Sequence, residues 1–385
     1  MIAVPSITLP NQRALFDVPD DVAYLNCAYM SPLLNTVAAA GEKAVRQKQH
    51  PWQITAPDFF TLPDRGRELF ARIIGANRED IAIVPSVSYG MAIASLNIKV
   101  DSGQEILVLD DQFPSNVYPW MEKANSSGGR LVTLSRTSSQ ESWTALLLDA
   151  IGPQTAIVAL PHCHWIDGSL IDLEAVGRAA SAVGAALVLD VTQSTGAMPF
   201  DVKAVQPDYL VAAGYKWLLG PYSLGFLYIA PHRQNGLPLE HGWAGRKGAE
   251  DFSRLVDYQQ EPAPGVRSFD MGEKSQFHLM PMAVAAMQQI LDWGVEEIAS
   301  SLIEKTRVIA ERAGQLGLTS VPENQRAGHY LGLKFPGGIP VDIHQQLAKH
   351  QVYVSIRGDS MRITPHLYNT DRDIERLFEA LGAVV

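Results

Sequence analysis

Six short apolar runs between residues 81 and 230 are the feature that most constrains the fold of this 385-residue chain. Stretches with helical patterning follow several of these runs, for example SYGMAIASLNI after the first. Strands buried on both faces have continuous apolar sequences, and helical crossovers between such strands make them parallel. The sequence therefore predicts an α/β domain over residues 40–285, with strands at 81–86, 105–110, 155–160, 185–190, 208–214 and 225–230.

The rest of the chain predicts a second, smaller domain. Residues 280–317 contain two strongly helical segments, and three short strand candidates follow: HYLGLKF, VYVSI and SMRIT. A last helix is expected to begin near Thr370, because Asp373 three residues later completes a capping-box pattern. We expect the N-terminal segment to pack with these elements. The predicted small α+β domain therefore comprises residues 1–39 and 286–385.

Composition argues against several classes of function. The formal net charge is −10, whereas proteins that bind nucleic acids rely on an excess of Lys and Arg. No apolar run is long enough to span a membrane, and the first residues lack the pattern of a signal peptide. Cys27 and Cys163 form no CxxC pair and no disulfide framework. We predict a cytoplasmic protein with no nucleic-acid partner and no membrane partner.

Common ligand-binding motifs are absent from the sequence. It contains no Walker-type phosphate loop, no GxGxxG and no GxSxG. His162 and His164 flank Cys163, but closely spaced ligands without a further one nearby do not make a zinc site. We therefore predict no metal.

Polar and aromatic residues occur where the predicted strands end. The successive runs are followed by, or end at, Ser88, Phe113, His162, Asp190 and Lys216. In an open parallel sheet, ligands bind at the carboxyl ends of the strands. We therefore expect these residues to converge on one edge of the sheet.

Together, these residues meet the chemical needs of pyridoxal phosphate (PLP). Lys216 supplies an amine for a Schiff base with the aldehyde, and its apolar setting favours the neutral, nucleophilic form. Asp190 supplies a carboxylate that keeps the pyridine nitrogen protonated, so that the ring accepts electrons. Val87 and Ser88 open a helix whose N–H groups suit a phosphate, and Phe113 suits the flat ring.

Each of these residues also has an interpretation that needs no cofactor. Lys216 fits a lysine whose ammonium reaches water, while Asp190 and Ser88 fit helix caps. Phe113 fits a core position. The cofactor interpretation is favoured because all of these residues fall at the same sheet edge in the required order.

The segments ALVLDVTQSTGAMPFDV and PDYLVAAGYKWLLGPYSLGFLYI resemble the cofactor region of class-V aminotransferases, which include cysteine desulfurases and kynureninases. FPSNVYPW (113–120), HGWAG (241–245) and MRITPHLYNTDRDIERL (361–377) resemble further segments of this family. The resemblance covers most of the chain. It implies PLP-dependent fold type I, with a mainly parallel seven-stranded sheet, flanking helices and a smaller α+β C-terminal domain.

The resemblance also implies roles for individual residues. Lys216 is expected to carry the cofactor and to shuttle the proton, with Asp190 at the pyridine nitrogen. Gln193 is expected at the phenolic oxygen. Tyr215 is expected to hold the phosphate together with the two residues that open the helix.

Two further residues receive roles only from the resemblance. Trp243 is expected to reach the phosphate of a partner subunit, which implies a homodimer; it also fits a core position. Arg362 is expected to bind the substrate carboxylate with its two-pronged guanidinium. A surface ion pair is the other interpretation of Arg362.

One departure from the family bears on the reaction. Desulfurases carry a nucleophilic cysteine just before the carboxylate-binding arginine, where this chain has VSIRGDSMRI. We predict a PLP-dependent enzyme that acts on a small amino acid, with transamination favoured. The alternatives are a kynureninase-like or C–S β-lyase activity and a non-catalytic PLP-binding regulator.

Overall fold

The computed structural model describes residues 8–138 and 141–383. Within them the helices are α1 Asn35–Lys48, α2 Thr61–Ile74, α3 Val87–Asn97, α4 Tyr118–Ser127, α5 Trp143–Ala150, α6 Leu173–Val183, α7 Val202–Val205, α8 Leu279–Trp293, α9 Val295–Gln315, α10 Ile343–Lys349 and α11 Asp371–Gly382. The strands are β1 Ala23–Tyr24, β2 Ile81–Val84, β3 Glu105–Leu109, β4 Arg130–Leu134, β5 Thr155–Pro161, β6 Ala186–Asp190, β7 Tyr209–Ala213, β8 Gly225–Ile229, β9 Leu331–Lys334, β10 Val352–Tyr353, β11 Ser355–Arg357 and β12 Ser360–Ile363.

A seven-stranded sheet in the order β2-β8-β7-β6-β5-β3-β4 forms the centre of the chain. β8 is antiparallel to both of its neighbours, and all other neighbouring strands are parallel. All six predicted apolar runs form strands of this sheet. The predicted α/β class with a mainly parallel seven-stranded sheet is confirmed.

The edge strand β4 was not predicted from the sequence. Among the strands of the described ranges it pairs with β3 alone, and Arg130 and Thr133 are exposed. None of the five residues of β4 is fully buried, so the strand lacks the continuous apolar run that identifies a strand covered on both faces. The sequence signal of β4 is therefore weaker than that of the six predicted runs, which include the other edge strand, β2, whose residues are all buried.

Helices cover both faces of the sheet. Met91 of α3 and Trp120 of α4 pack in the apolar cluster on one face. Phe70 of α2, Val176 of α6 and Met287 of α8 pack in the cluster on the other face. Burial of these apolar side chains drives the helices onto the sheet and leaves the strand ends to form a cavity.

The C-terminal strands form an antiparallel sheet in the order β11-β12-β9, while β1 pairs with β10 in parallel. The N-terminal segment therefore contacts the C-terminal elements, as expected. Thr370 caps α11, and its N–H donates to Asp373 Oδ2 at 3.0 Å, which confirms the predicted start of that helix.

The predicted domain boundaries, 40–285 and 1–39 with 286–385, stay a prediction. Residues 1–7, 139–140 and 384–385 of these ranges lie outside the described residues. Among the helices of the described ranges, none has both the length and the apolar character needed to cross a lipid bilayer.

Candidate active site

A cavity of about 400 Å³ lies at the carboxyl ends of β2, β3, β5, β6 and β7. Seven of the nine predicted site residues line it: Val87, Ser88, Phe113, Asp190, Gln193, Tyr215 and Lys216. The topology brings these residues together because parallel strands place their carboxyl ends at one edge of the sheet.

Lys216 lies three residues after the end of β7 and is only 7% exposed. Its Nζ lies 5.5 Å from the centroid of the Phe113 ring and 5.6 Å from that of Tyr215. Burial lowers the pKa of the amine to about 8; the Asp190 carboxylate opposes this shift and the Arg362 guanidinium adds to it. Lys216 is therefore not a lysine whose ammonium reaches water.

Asp190 is the last residue of β6, and its carboxyl group is buried. Its Oδ1 accepts a hydrogen bond from the Thr192 backbone N–H at 3.0 Å. Burial raises the pKa of the carboxyl, while the bond to Thr192 and the charge of Lys216 act in the opposite direction. Asp190 caps no helix, because the next helix, α7, is capped by Asp201.

The first turn of α3 forms one wall of the cavity. The hydroxyl of Ser86 accepts a hydrogen bond from the Tyr89 N–H at 3.2 Å, so Ser86 is the N-cap. The N–H groups of Val87 and Ser88 in the next positions have no partner within the helix. Ser88 Oγ donates to Ser115 Oγ at 2.9 Å, which brings a second hydroxyl to the same wall.

Phe113 and Gln193, two further predicted residues that line the cavity, are positioned by contacts with neighbouring side chains and backbone. Phe113 is half-buried and meets Trp165 edge to face, with ring centroids 5.4 Å apart. The Gln193 amide accepts a hydrogen bond from Trp217 Nε1 at 3.1 Å and donates to the Ala28 carbonyl at 3.2 Å. One N–H of Gln193 therefore remains for a bound group.

Tyr215 lines the cavity beside Lys216. Its ring lies 4.6 Å, centroid to centroid, from that of Tyr222, another lining residue. Burial raises the pKa of Tyr215 to about 12, so its phenol stays protonated and can donate a hydrogen bond.

Arg362 and Trp243 do not line the cavity. Arg362 is 2% exposed, which excludes a surface ion pair, and its Nη1 donates to the backbone carbonyl of Trp165 at 3.0 Å. Trp243 is 39% exposed and packs against Phe59 and Phe252, so it is not a core residue. The predicted contact of Trp243 with a partner subunit stays a prediction.

Two residues beside the cavity were not predicted. Trp165 lines it, and Arg357 lies with its guanidinium carbon 5.9 Å from the Trp165 ring centroid. Trp165 occurs close after the end of β5, and Arg357 stands five residues before Arg362. The sequence positions of Trp165 and Arg357 only weakly indicate a role in the site. The two residues meet because the loop after β5 packs on the β11–β12 hairpin.

Both cysteines are buried side chains that do not themselves line the cavity. Cys27 Sγ lies 3.9 Å from the carbonyl oxygen of Lys216, and Cys163 Sγ lies 3.5 Å from that of Gln193. Burial raises the pKa of each thiol, so neither readily forms a thiolate. Within residues 8–138 and 141–383, no group of three or more His, Cys, Asp or Glu side chains is arranged to hold a metal ion. The prediction that the protein uses no metal stays a prediction.

The residues of the cavity fit pyridoxal phosphate. A buried amine and a buried carboxyl lie at neighbouring strand ends, and the N-terminus of α3 and an aromatic ring lie beside them. The chain aligns with a C-DES variant whose PLP cofactor carries covalently linked glycine, at a TM-score of 0.86 and 20% identity, over 97% of this chain and 100% of that one. The fold is therefore PLP-dependent fold type I.

Sequence comparisons define the family more closely. The class-V aminotransferase profile matches residues 52–377. The uncharacterized aminotransferase YcbU of Bacillus subtilis is 25% identical over 82% of this chain and 82% of its own length. A kynureninase of Deinococcus radiodurans is 30% identical over 69% of this chain and 64% of its own length. The protein belongs to the class-V aminotransferase family, and its cofactor is pyridoxal phosphate.

Proposed function

We propose that this protein is an aminotransferase that acts on a small amino acid, with Lys216 as the residue that carries the cofactor. The observation on which this rests most is that the buried amine of Lys216 and the buried carboxyl of Asp190 share one cavity. When bound there, pyridoxal phosphate supplies an aldehyde that reacts with amines and a ring that accepts electrons.

Lys216 is the base in this proposal. Its lowered pKa, about 8, gives a larger neutral fraction near neutral pH than an ordinary lysine has. Lys216 Nζ removes the proton from the substrate Cα and holds it within a site that is largely closed to water. The nearby aromatic rings of Phe113 and Tyr215 restrict the positions that the amine can occupy.

Asp190 holds the pyridine nitrogen in its protonated form. A carboxyl buried at this depth is costly to ionise alone, and a cation beside it offsets that cost. The Thr192 N–H fixes one carboxyl oxygen, and the other oxygen remains for the ring nitrogen. Phe113 would pack against the ring, and Gln193 would donate its remaining N–H to the phenolic oxygen.

The phosphate binds at the N-terminus of α3. The free N–H groups of Val87 and Ser88, the Ser88 hydroxyl and the Tyr215 phenol supply donors, and the helix dipole favours negative charge there. Arg362 binds the α-carboxylate of the substrate, since its guanidinium is buried and free of any carboxylate partner among the described residues.

Transamination is favoured over epimerisation because the cavity contains one strong base. Among the described lining residues, Lys216 is the one amine and Asp190 the one carboxylate. One base can both remove and return the proton, whereas epimerisation generally needs a second acid on the opposite face. A persulfide mechanism is disfavoured because the β11–β12 turn is Gly358-Asp359, without a cysteine. The two cysteines of the chain are buried outside the cavity lining, and burial raises the pKa of both thiols.

A kynureninase-like or C–S β-lyase is the second candidate. It is favoured by the 30% identity to the Deinococcus radiodurans kynureninase. The same single base would start this reaction by taking the Cα proton, after which a bond at the β-carbon breaks.

The two candidates are separated by their products. The holoenzyme is incubated with a panel of amino acids, and pyridoxamine phosphate is measured by chromatography. We expect at least one amino acid to convert the cofactor in the native protein and none to do so in the Lys216→Ala variant. Cleavage of kynurenine or a cysteine conjugate without pyridoxamine phosphate would establish the lyase. A yellow protein that turns over no amine would instead be a PLP-binding regulator.

The functional unit in this proposal is a homodimer in a reducing, cytoplasmic environment. Exposed aromatic surface around Trp243, which packs with Phe59 and Phe252, supports a subunit interface. Two free, buried cysteines fit a compartment in which thiols stay reduced. Small amino acids are the expected partners of the site, and neither nucleic acid nor membrane is required.

A further inference from the structure

Two arginines lie close together on the hairpin of β11 and β12. Arg357 is the last residue of β11, and Arg362 lies on β12 opposite Ser355. The turn between the strands consists of Gly358 and Asp359 alone, which keeps both arginines on one short, paired element.

Both guanidinium groups face the same indole ring. The guanidinium carbons of Arg362 and Arg357 lie 5.6 Å and 5.9 Å from the centroid of Trp165. Trp165 lines the cavity that holds Lys216, and its carbonyl accepts hydrogen bonds from Arg362 Nη1 and from the hydroxyl of Tyr330. The indole therefore connects the two cations to the edge of the proposed substrate site.

No carboxylate neutralises this pair of cations. Of the Asp and Glu side chains in the described ranges, none lies within 4.0 Å of either guanidinium. The carboxylates nearest in sequence to these contacts are engaged elsewhere, Asp359 with Lys334 at 2.9 Å and Asp167 with Arg136 at 2.6 Å. Arg362 Nε is also buried without a hydrogen-bond partner.

Two like charges that share one ring without a counter-ion repel each other, and a buried guanidinium with an orphan N–H is costly. A bound ligand with negative charge at both positions would offset both costs. The two sites also differ in depth, because Arg362 is 2% exposed while Arg357, at the tip of the hairpin, is only half-buried.

We propose that the substrate is an acidic amino acid or the matching keto acid, with a second carboxylate on its side chain. Resting on the proposed function, this assignment gives the deep Arg362 the α-carboxylate and makes Arg357 the residue that selects the side-chain carboxylate. Arg357 is suited to this role because its planar fork binds a carboxylate with two parallel hydrogen bonds.

The test uses two unreactive acids with the PLP-loaded protein. Binding of glutarate, a dicarboxylate, and butyrate, a monocarboxylate of similar length, is measured by isothermal titration calorimetry. The native protein is compared with Arg357→Gln, Arg357→Lys and Arg65→Gln. Arg65 is a half-buried arginine on α2, away from the cavity lining, so its variant removes the same charge without the proposed contact.

In the native protein we expect glutarate to bind at least about tenfold more tightly than butyrate. Arg357→Gln should weaken the binding of glutarate about tenfold and that of butyrate less than about twofold. Arg357→Lys should have an intermediate effect on glutarate binding, and Arg65→Gln should bind both acids with the native affinity. If Arg357→Gln weakened the binding of both acids equally, both arginines would bind the same carboxylate, and the proposal would be overturned. Glutarate that binds no better than butyrate, or not at all, would overturn it as well.

These outcomes do not depend on turnover, because neither acid has an amino group to react. The proposed aminotransferase activity fails if no amino acid forms pyridoxamine phosphate, even if glutarate binds as expected. The substrate proposal fails on the binding results alone, even if monocarboxylic amino acids convert the cofactor.

Discussion

At the scale of single residues, the account depends on how burial changes the chemistry of two ionisable groups. Lys216 and Asp190 are both nearly inaccessible to water, and burial disfavours the charged form of each. Bound pyridoxal phosphate would offset both costs, because Lys216 would hold its aldehyde and Asp190 its protonated ring nitrogen. Bound pyridoxal phosphate is therefore expected to stabilise the site.

Replacement of Asp190 by Asn tests the proposed pairing with the ring nitrogen. The substitution keeps the size of the side chain but removes the charge that holds the nitrogen protonated, so the ring becomes a poor electron acceptor. We expect kcat/KM for the Cα proton-removal step to fall at least about 10²-fold. Stopped-flow absorbance of the cofactor measures this step.

The exposed carboxylate Asp149 on α5 provides the control for this substitution. Asp149→Asn should leave both the spectrum and the rate unchanged. An Asp190→Asn variant with the native rate would refute the assignment of Asp190 to the ring nitrogen.

At the residue scale, the sequence predicted those site residues that stand at strand ends. Asp190 and Lys216 follow central apolar runs, so their convergence could be inferred from topology alone. Trp165 and Arg357 could not be found in this way. Their meeting depends on how the loop after β5 packs on the β11–β12 hairpin, which no local pattern in the sequence encodes.

At the scale of elements, a buried set of histidines lies behind the cofactor cavity. His329 packs edge to face against Trp217 and its Nε2 lies 2.6 Å from the Gln193 carbonyl. His366 also lies beside Trp217, and both of its ring nitrogens are buried without hydrogen-bond partners. His162 Nδ1 contacts the hydroxyl of Ser194 at 3.1 Å.

Burial lowers the pKa of His162 and His329 to about 4 and that of His366 to about 3. The folded state therefore keeps these rings neutral, while the unfolded chain takes up protons below its usual pKa near 6.5. Stability is fully present above pH 6.5 and decreases as the pH falls towards 4. Each ring should lower the free energy of unfolding by about 2 kcal/mol at pH 5.

The acid sensitivity is tested with His366→Phe, which keeps an aromatic ring and removes the titrating group. The drop in Tm from pH 7 to pH 5 should be smaller in this variant than in the native protein. His344→Phe, at an exposed site on α10, should keep the native drop. An unchanged pH dependence in His366→Phe would show that this ring does not contribute.

Strands were predicted correctly from the sequence where nearly all of their residues are buried, and β4, whose residues are only partly buried, was missed. The six apolar runs form strands whose two faces are both covered, which leaves few polar positions to interrupt the apolar pattern. The edge strand β4 has exposed residues on both faces, Arg130 and Thr133, and therefore lacks that pattern. The start of α11 was found because Thr370 and Asp373 form a local capping box.

At the scale of the whole molecule, the proposed homodimer makes a quantitative prediction about Trp243. Light scattering should give twice the chain mass of 42.1 kDa. If Trp243 completes the site of the other subunit, a Lys216→Ala subunit can supply that residue to a Trp243→Ala subunit. Each mixed dimer then contains one intact site.

Inactive Lys216→Ala and impaired Trp243→Ala proteins are therefore mixed and allowed to exchange subunits. About a quarter of all sites should recover native cofactor affinity and reactivity. Trp52→Ala, at an exposed tryptophan outside the aromatic cluster, should be unimpaired without mixing. A monomeric mass, or no recovery after exchange, would contradict the shared site.

Covalent labelling of the cofactor-carrying lysine shows whether Lys216 has this role. The PLP-loaded protein is reduced with borohydride and digested, and the peptides are sequenced by mass spectrometry. Lys203→Ala, at an exposed position on α7, controls for nonspecific labelling. The account predicts a pyridoxyl group on Lys216 in the native protein and in this control, and none in Lys216→Ala. A pyridoxyl group on another lysine, with Lys216 unlabelled, would contradict it.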